Sequence, residues 1–276
     1  MALNLAFETV GSGPPLLVLH GLFGSGSNWR GVARRLAPTR TVYSVDLRNH
    51  GASPWADAMD YVAMADDVLQ LMDRLGLERS AVLGHSMGGK TAMALALRHP
   101  QRVERLIVVD IASVSYVDTL TPFADAMRGA NVVAAATRDE VQARLRRAAP
   151  DPAVVPFLMQ NLVFHNDHFD WRLNLLGISA SMAQLCGFPS ELLGSRFSGL
   201  LTVIAGEHSD YVAERDGVEF DPMFPRVAVE LVSGAGHWVH ADRPDAFLGC
   251  VERALHDSSR TGRPETNRNT TTGDRT

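Results

Sequence analysis

Short apolar runs alternate along this chain with longer stretches in which apolar residues recur every three or four positions. Leu16-Leu17-Val18-Leu19, Ala81-Val82-Leu83 and Leu106-Ile107-Val108-Val109 are unbroken runs, and Thr41 to Val45 is a mixed one ending at Asp46. Unbroken runs of this length predict strands buried on both faces. The intervening stretches have helical spacing. Tyr61 to Leu75 carries Val62, Ala65, Val68, Leu69, Met72 and Leu75 on one stripe, and Ser27 to Leu36 and Thr91 to Leu97 read the same way. Strand and helix in strict alternation predict an α/β fold, with a mostly parallel central sheet flanked by helices.

The rhythm breaks after Ala112. From 113 to 196 the pattern predicts helices and loops only: Pro122 to Met127, Arg138 to Ala149, Ala153 to Leu162 and Leu173 to Leu185. Strands resume at Leu200 to Ala205 and Val227 to Val232, and Pro244 to Leu255 reads as a closing helix. The expected organisation is one core in two parts, 1–112 and 197–256, interrupted by a helical lid insertion over 113–196. Residues 257–276 hold no apolar side chain and are expected to be a disordered tail.

Composition narrows the function. The net charge of -5 supplies no basic face for a nucleic-acid backbone. The two cysteines, Cys186 and Cys250, stand far apart and in no metal-ligand spacing, so they read as reduced core thiols. No apolar run reaches the ~18 residues of a membrane span, and the first residues show no signal-peptide pattern. The expectation is a cytoplasmic protein, monomeric or a small homo-oligomer, acting on a small molecule.

Gly84-His85-Ser86-Met87-Gly88 fits the nucleophile elbow Gly-x-Ser-x-Gly, with a strand before it and a helix after it. Such a turn presents the serine hydroxyl at the carboxyl end of the sheet. The Met87 N–H, at the start of the next helix, can then face a developing oxyanion. The same segment, extended to Gly89-Lys90-Thr91, also fits Gly-x-x-x-x-Gly-Lys-Thr, the phosphate-binding loop of nucleotide hydrolases. Leu106 to Asp110 resembles the strand whose terminal Asp helps hold magnesium in such enzymes. A nucleotide hydrolase is therefore the competing reading of Gly84 to Thr91, and a ligand-binding receptor on the hydrolase fold is a third.

The rest of the chain favours ester chemistry. His20-Gly21-Leu22 follows the first strong strand and can set the Leu22 N–H opposite the elbow as a second oxyanion donor. Gly236-His237 follows the last strand and offers a general base, preferred to His240. The His237/His240 and His165/His168 pairs lack a third ligand, so no metal and no cofactor are expected. The acid has two candidates. Many members of this fold carry it three residues beyond a glycine after the strand that follows the insertion. Here that slot is Ser209, and Asp210 stands one residue late. Asp110, ending the preceding strand, is the alternative and the preferred one, because a one-residue shift redirects a side chain.

Asp46-Leu47-Arg48-Asn49-His50-Gly51-Ala52-Ser53-Pro54, Gly84 to Lys90 and Gly236 to Ala241 closely resemble the YbfF-type esterases. They are equally similar to the mitochondrial α/β-hydrolase-domain-eleven proteins. His20 to Ser25, Asp110-Ile111-Ala112 and Trp171 to Leu175 fit the same pattern, and the likeness runs from about Leu16 to Leu255. The resemblance implies an α/β-hydrolase fold and a serine esterase or thioesterase acting on carboxylic esters or acyl thioesters such as acyl-CoA. It favours Ser86, Asp110 and His237 as the catalytic residues, with Ser209 supporting the acid. Glu207-His208-Ser209-Asp210 departs from the family's usual Gly-Asn-Ser and keeps Asp210 in contention. Phe23, Phe123, Trp171 and Trp238 are the expected substrate-binding residues.

Overall fold

The structure is a computed structural model that describes residues 1–212, 220 and 222–256; the tail expected over 257–276 lies outside the described residues. Seven strands form one sheet: β1 (Phe7–Val10), β2 (Pro15–Leu19), β3 (Thr41–Val45), β4 (Ser80–His85), β5 (Val103–Val109), β8 (Leu201–Gly206) and β9 (Val227–Val232). Their order is β1-β3-β2-β4-β5-β8-β9, and every pairing is parallel except β1 with β3. This is the mostly parallel sheet expected from the alternation, and the α/β-hydrolase fold that the resemblance implies. The edge strand β1 is the addition. Its Phe-Glu-Thr-Val is short and largely exposed, so it carries none of the apolar continuity that marks the inner strands.

The pleat explains the layering. Leu17 and Leu19 of β2 join the core on one face, with Met64, Val68 and Leu71 of α2 (Tyr61–Arg74) and Ala92 and Leu95 of α3 (Met87–Arg98). Leu16 and Val18 point the other way, into a second core with Val32 and Leu36 of α1 (Arg30–Leu36) and Phe247 and Val251 of α10 (Pro244–His256). Alternate residues thus serve opposite faces, and both faces are covered. No described helix is long and apolar enough to cross a membrane.

The segment between β5 and β8 holds α4 (Thr121–Gly129), α5 (Arg138–Ala148), α6 (Val155–Leu158), α7 (Leu175–Ala180) and α8 (Met182–Cys186). It also holds a hairpin, β6 (Leu162–His165) with β7 (His168–Trp171), which corrects the expectation of helices and loops alone. The signal was present in the sequence. Asn166-Asp167 is a two-residue turn between aromatic-bearing flanks, and Asn166 takes the left-handed φ of 52° that such turns favour. Phe164 and Phe169 then meet edge to face across the strands, with centroids 5.0 Å apart.

Candidate active site

β4 ends at His85, and Ser86 turns the chain into α3 at φ 52° and ψ −118°. A non-glycine residue pays conformational energy to sit there, and such positions cluster at functional sites. The turn closes only because its flanks lack side chains. A Cβ on Gly84 would stand 2.1 Å from the Gly88 carbonyl oxygen, and one on Gly88 would stand 2.5 Å from that of Leu19. The Ser86 N–H is held by the Val109 carbonyl at 3.0 Å, so β5 fixes the elbow from beside it.

Asp110 follows β5 and is fully buried. Its Oδ1 accepts the Gly206 N–H at 2.9 Å. Its Oδ2 accepts the Ser209 hydroxyl and lies 2.7 Å from His237 Nδ1. Asp210 is exposed to solvent. With Nδ1 committed to a carboxylate, the other ring nitrogen of His237 is the one left for chemistry. Two further groups hold His237, one at its ring and one at its main chain. Tyr211 stacks on it at 4.1 Å and 27°, and His85 Nε2 lies 2.9 Å from the His237 carbonyl oxygen. Burial holds the His85 pKa well below its ordinary value, so His85 is neutral and donates from Nε2. His240 instead stacks on Trp29 at 4.3 Å, and burial pulls its pKa down to about 4.

The turn after β2 packs directly against the elbow. A Cβ on Gly21 would come within 2.9 Å of the His85 ring and 3.4 Å of Ser86 Cβ. Phe23 there has φ 61°, and its N–H donates to His50 Nε2 at 3.2 Å. His50 Nδ1 faces the Arg48 carbonyl at 2.8 Å, which assigns the proton to Nδ1 and the lone pair to Nε2. His20 repeats the device, with Nδ1 toward the Gly21 carbonyl at 2.8 Å and Nε2 accepting the Leu47 N–H at 3.0 Å. Burial lowers the pKa of His20 to about 4 and that of His50 to about 3, so both stay neutral acceptors. Sequence reasoning missed His50 and His85. Their signals were the unusual Arg48-Asn49-His50-Gly51 and a titratable residue inside the elbow itself.

Ser86, His237, Leu22, Phe23, Phe123 and Trp238 border one cavity of about 930 Å³. Met87 lies beside it and opens α3, where a backbone N–H has no acceptor within the helix. Trp171 does not belong with them, which corrects its expected role. It is buried in the insertion, and its indole N–H donates to the Met127 carbonyl at 3.0 Å. The phosphate-loop reading also fails on geometry. Lys90 Nζ is buried and donates to the carbonyls of Val114 at 2.8 Å, Cys186 at 3.1 Å and Gly187 at 2.6 Å. An ammonium has three protons, so none remains for a phosphate. The Thr91 hydroxyl turns back to the Met87 carbonyl at 3.0 Å, and Asp110 is committed to His237. His165 and His168 face each other across the hairpin, and among the described residues no group of three or more His, Cys, Asp or Glu is gathered for a metal.

Comparison with known proteins adds to this geometry. Residues 14–147 match the family described as alpha/beta hydrolase fold. The sn-1-specific diacylglycerol lipase ABHD11 of Xenopus tropicalis is 39% identical over 247 residues, covering 87% of this chain and 77% of the relative. Esterase YbfF of Escherichia coli is 33% identical over 261 residues, covering 93% of this chain and all of the relative. Among solved structures, a marine microorganism esterase superposes with a TM-score of 0.88 at 34% identity, covering 92% of this chain and all of that one.

Proposed function

Because the chain belongs to the α/β-hydrolase family and is a hydrolase of the esterase and lipase type, we propose that it cleaves carboxylic esters or acyl thioesters through Ser86, His237 and Asp110. The observation that carries this reading is the 2.7 Å contact of His237 Nδ1 with buried Asp110, with His237 and Ser86 bordering the same cavity. In this mechanism His237 takes the proton of Ser86 as the hydroxyl attacks the substrate carbonyl. The N–H groups of Met87 and Leu22 receive the charge that develops on oxygen. His237 returns the proton to the leaving alcohol or thiol, and an acyl-enzyme remains on Ser86. Water activated by His237 then releases the acid. Asp110 fixes the imidazole tautomer and stabilises its charged form. Ser209 and the Gly206 N–H hold the carboxylate in place, and Asp210 is a bystander.

Ester and thioester cleavage use the same groups and differ only in the leaving atom. A fluorophosphonate probe should label Ser86 alone, and Ser86→Ala should lose ~10⁴-fold or more in kcat while remaining folded. Labelling of another serine, or an active Ser86→Ala protein, would defeat the proposal.

A further inference from the structure

Ser86 borders a second, much smaller cavity. It holds about 30 Å³; Met87, Ile111, Tyr61 and Leu185 border it alone, while Leu22, Thr119, Leu120 and Tyr211 border both cavities. His237 borders the cavity of about 930 Å³ and is absent from the small one. This asymmetry bears on which end of the substrate goes where. The base that takes the serine proton hands it to the leaving group, so the leaving atom must sit beside His237. The acyl substituent lies on the other side of the carbonyl carbon. We infer that the small cavity receives the acyl group and the large one the leaving group, so that the enzyme removes short, uncharged acyl groups, acetyl and propionyl, from bulky alcohols or thiols. This inference rests on the serine-hydrolase reading above.

The size of the pocket sets the chain length. One water-sized group needs ~10–15 Å³ of such space, so the pocket takes roughly two groups of that size. Its wall includes residues that are tied down. Tyr61 is fully buried, and its hydroxyl donates to the Leu185 carbonyl at 2.5 Å. Lys90 also borders the pocket, with its three protons spent on backbone carbonyls. The wall therefore offers no ammonium proton to a carboxylate on the acyl chain, and lengthening the pocket would break buried hydrogen bonds. The large cavity, of about 930 Å³ and bordered by Phe157 and Trp238, sets no comparable limit on the leaving group.

The test compares two ester series on the full-length protein. In one, the 4-nitrophenyl group is kept and the acyl chain grows from acetyl to dodecanoyl. In the other, acetyl is kept and the alcohol grows from ethyl to naphthyl and cholesteryl. The expected result is a fall in kcat/KM of at least about tenfold from propionyl to octanoyl, since a misfitting methylene costs ~10-fold or more. Acetates of large alcohols should stay within about threefold of one another once corrected for leaving-group pKa. Leu185→Ala, with its fold checked by circular dichroism, should raise the octanoyl-to-propionyl ratio about tenfold by enlarging the pocket. Octanoyl esters cleaved as fast as propionyl esters, or an unchanged ratio in folded Leu185→Ala, would overturn the inference. Intact mass of the quenched enzyme and fluorophosphonate labelling separate the two failures. Acyl adducts on Ser86 that are mainly long-chain refute the pocket assignment alone. Failure of a fluorophosphonate to label Ser86, with Ser86→Ala still active on these esters, refutes the serine-hydrolase reading beneath it.

Discussion

Asp110 and Ser86 share an unusual property: each is a non-glycine residue with φ of 52°, and each immediately follows one of two adjacent parallel strands. A left-handed position for an aspartate or serine is costly in isolation and persists only where the surroundings over-determine it. For Asp110 those surroundings are the Ile204 carbonyl on its N–H, the Gly206 N–H on Oδ1, and Ser209 and His237 on Oδ2. Asp110→Asn should therefore lower kcat by ~10⁴-fold with native folding retained, and Asp210→Asn by less than ~10-fold. Ser209→Ala should fall between them, at roughly ten- to a hundredfold, because it removes one hydrogen bond to a charged group. Steady-state kinetics on the three variants checks the order; a crippled Asp210→Asn beside a normal Asp110→Asn reverses it. Sequence spacing made most of this readable. Ser209 stood in the usual acid slot, which pointed to Asp110, at another strand end, as the proposed acid. Trp171 was not readable in the same way, since nothing local tells an aromatic that packs in the insertion from one that lines a cavity.

At the scale of elements, two buried cations hold the parts in register. Arg48 pairs with Asp67 of α2 through Nε at 2.7 Å and Nη2 at 2.8 Å, and also donates to the carbonyls of Ala58 and Ala63. Burial raises the Asp67 pKa against the pull of Arg48, so desolvation outweighs the attraction. Breaking such a pair leaves one charge buried alone. Asp67→Ala should cost about 3–5 kcal/mol in urea unfolding, and a loss under 1 kcal/mol would contradict this account. Lys90 ties α3 to the insertion through three carbonyls and lies over the rings of Tyr61 and Tyr116. Lys90→Ala should lower the melting temperature, while millimolar magnesium-ATP should leave that of the native protein unchanged. An ATP shift lost in the variant would revive the phosphate-loop reading. The motif around Lys90 was legible as residues but ambiguous as chemistry. Only the distant partners Val114, Cys186 and Gly187 decide it, and no local pattern announces them. The same limit applies to β1, whose existence depends on the edge that β3 offers rather than on its own sequence.

For the whole molecule, neutral buried histidines make acid the vulnerable direction. His20 and His240 are lowered to about 4 and His50 to about 3, against 6.5 for a free imidazole. Each folded-state pKa is depressed, so the unfolded chain binds protons first as the pH falls. The stabilisation is complete above about pH 6.5 and is lost progressively down to pH 3–4. One pKa unit corresponds to about 1.4 kcal/mol, so the combined loss by pH 4 is several kcal/mol. Urea midpoints measured from pH 8 to pH 4 should fall most steeply below 6.5, and His50→Asn should flatten that decline. A stability flat between pH 7 and 4.5 would rule the account out.

The lysine tie also says where the insertion can be cut. Val114 lies at the start of the inserted segment and Cys186-Gly187 toward its end, and Tyr116 N–H joins the two by donating to the Cys186 carbonyl at 2.9 Å. The insertion thus leaves the core through a cinched neck rather than through two independent linkers. A graft that replaced residues 117–185 would keep that neck and its three carbonyls. One that exchanged 113–196, the boundary suggested by the break in hydrophobic rhythm, would leave all three Lys90 acceptors to the backbone path of the incoming segment. Portability of the insertion between relatives therefore depends on one helix residue in the core, and the useful crossover points lie inside the insertion rather than at its ends.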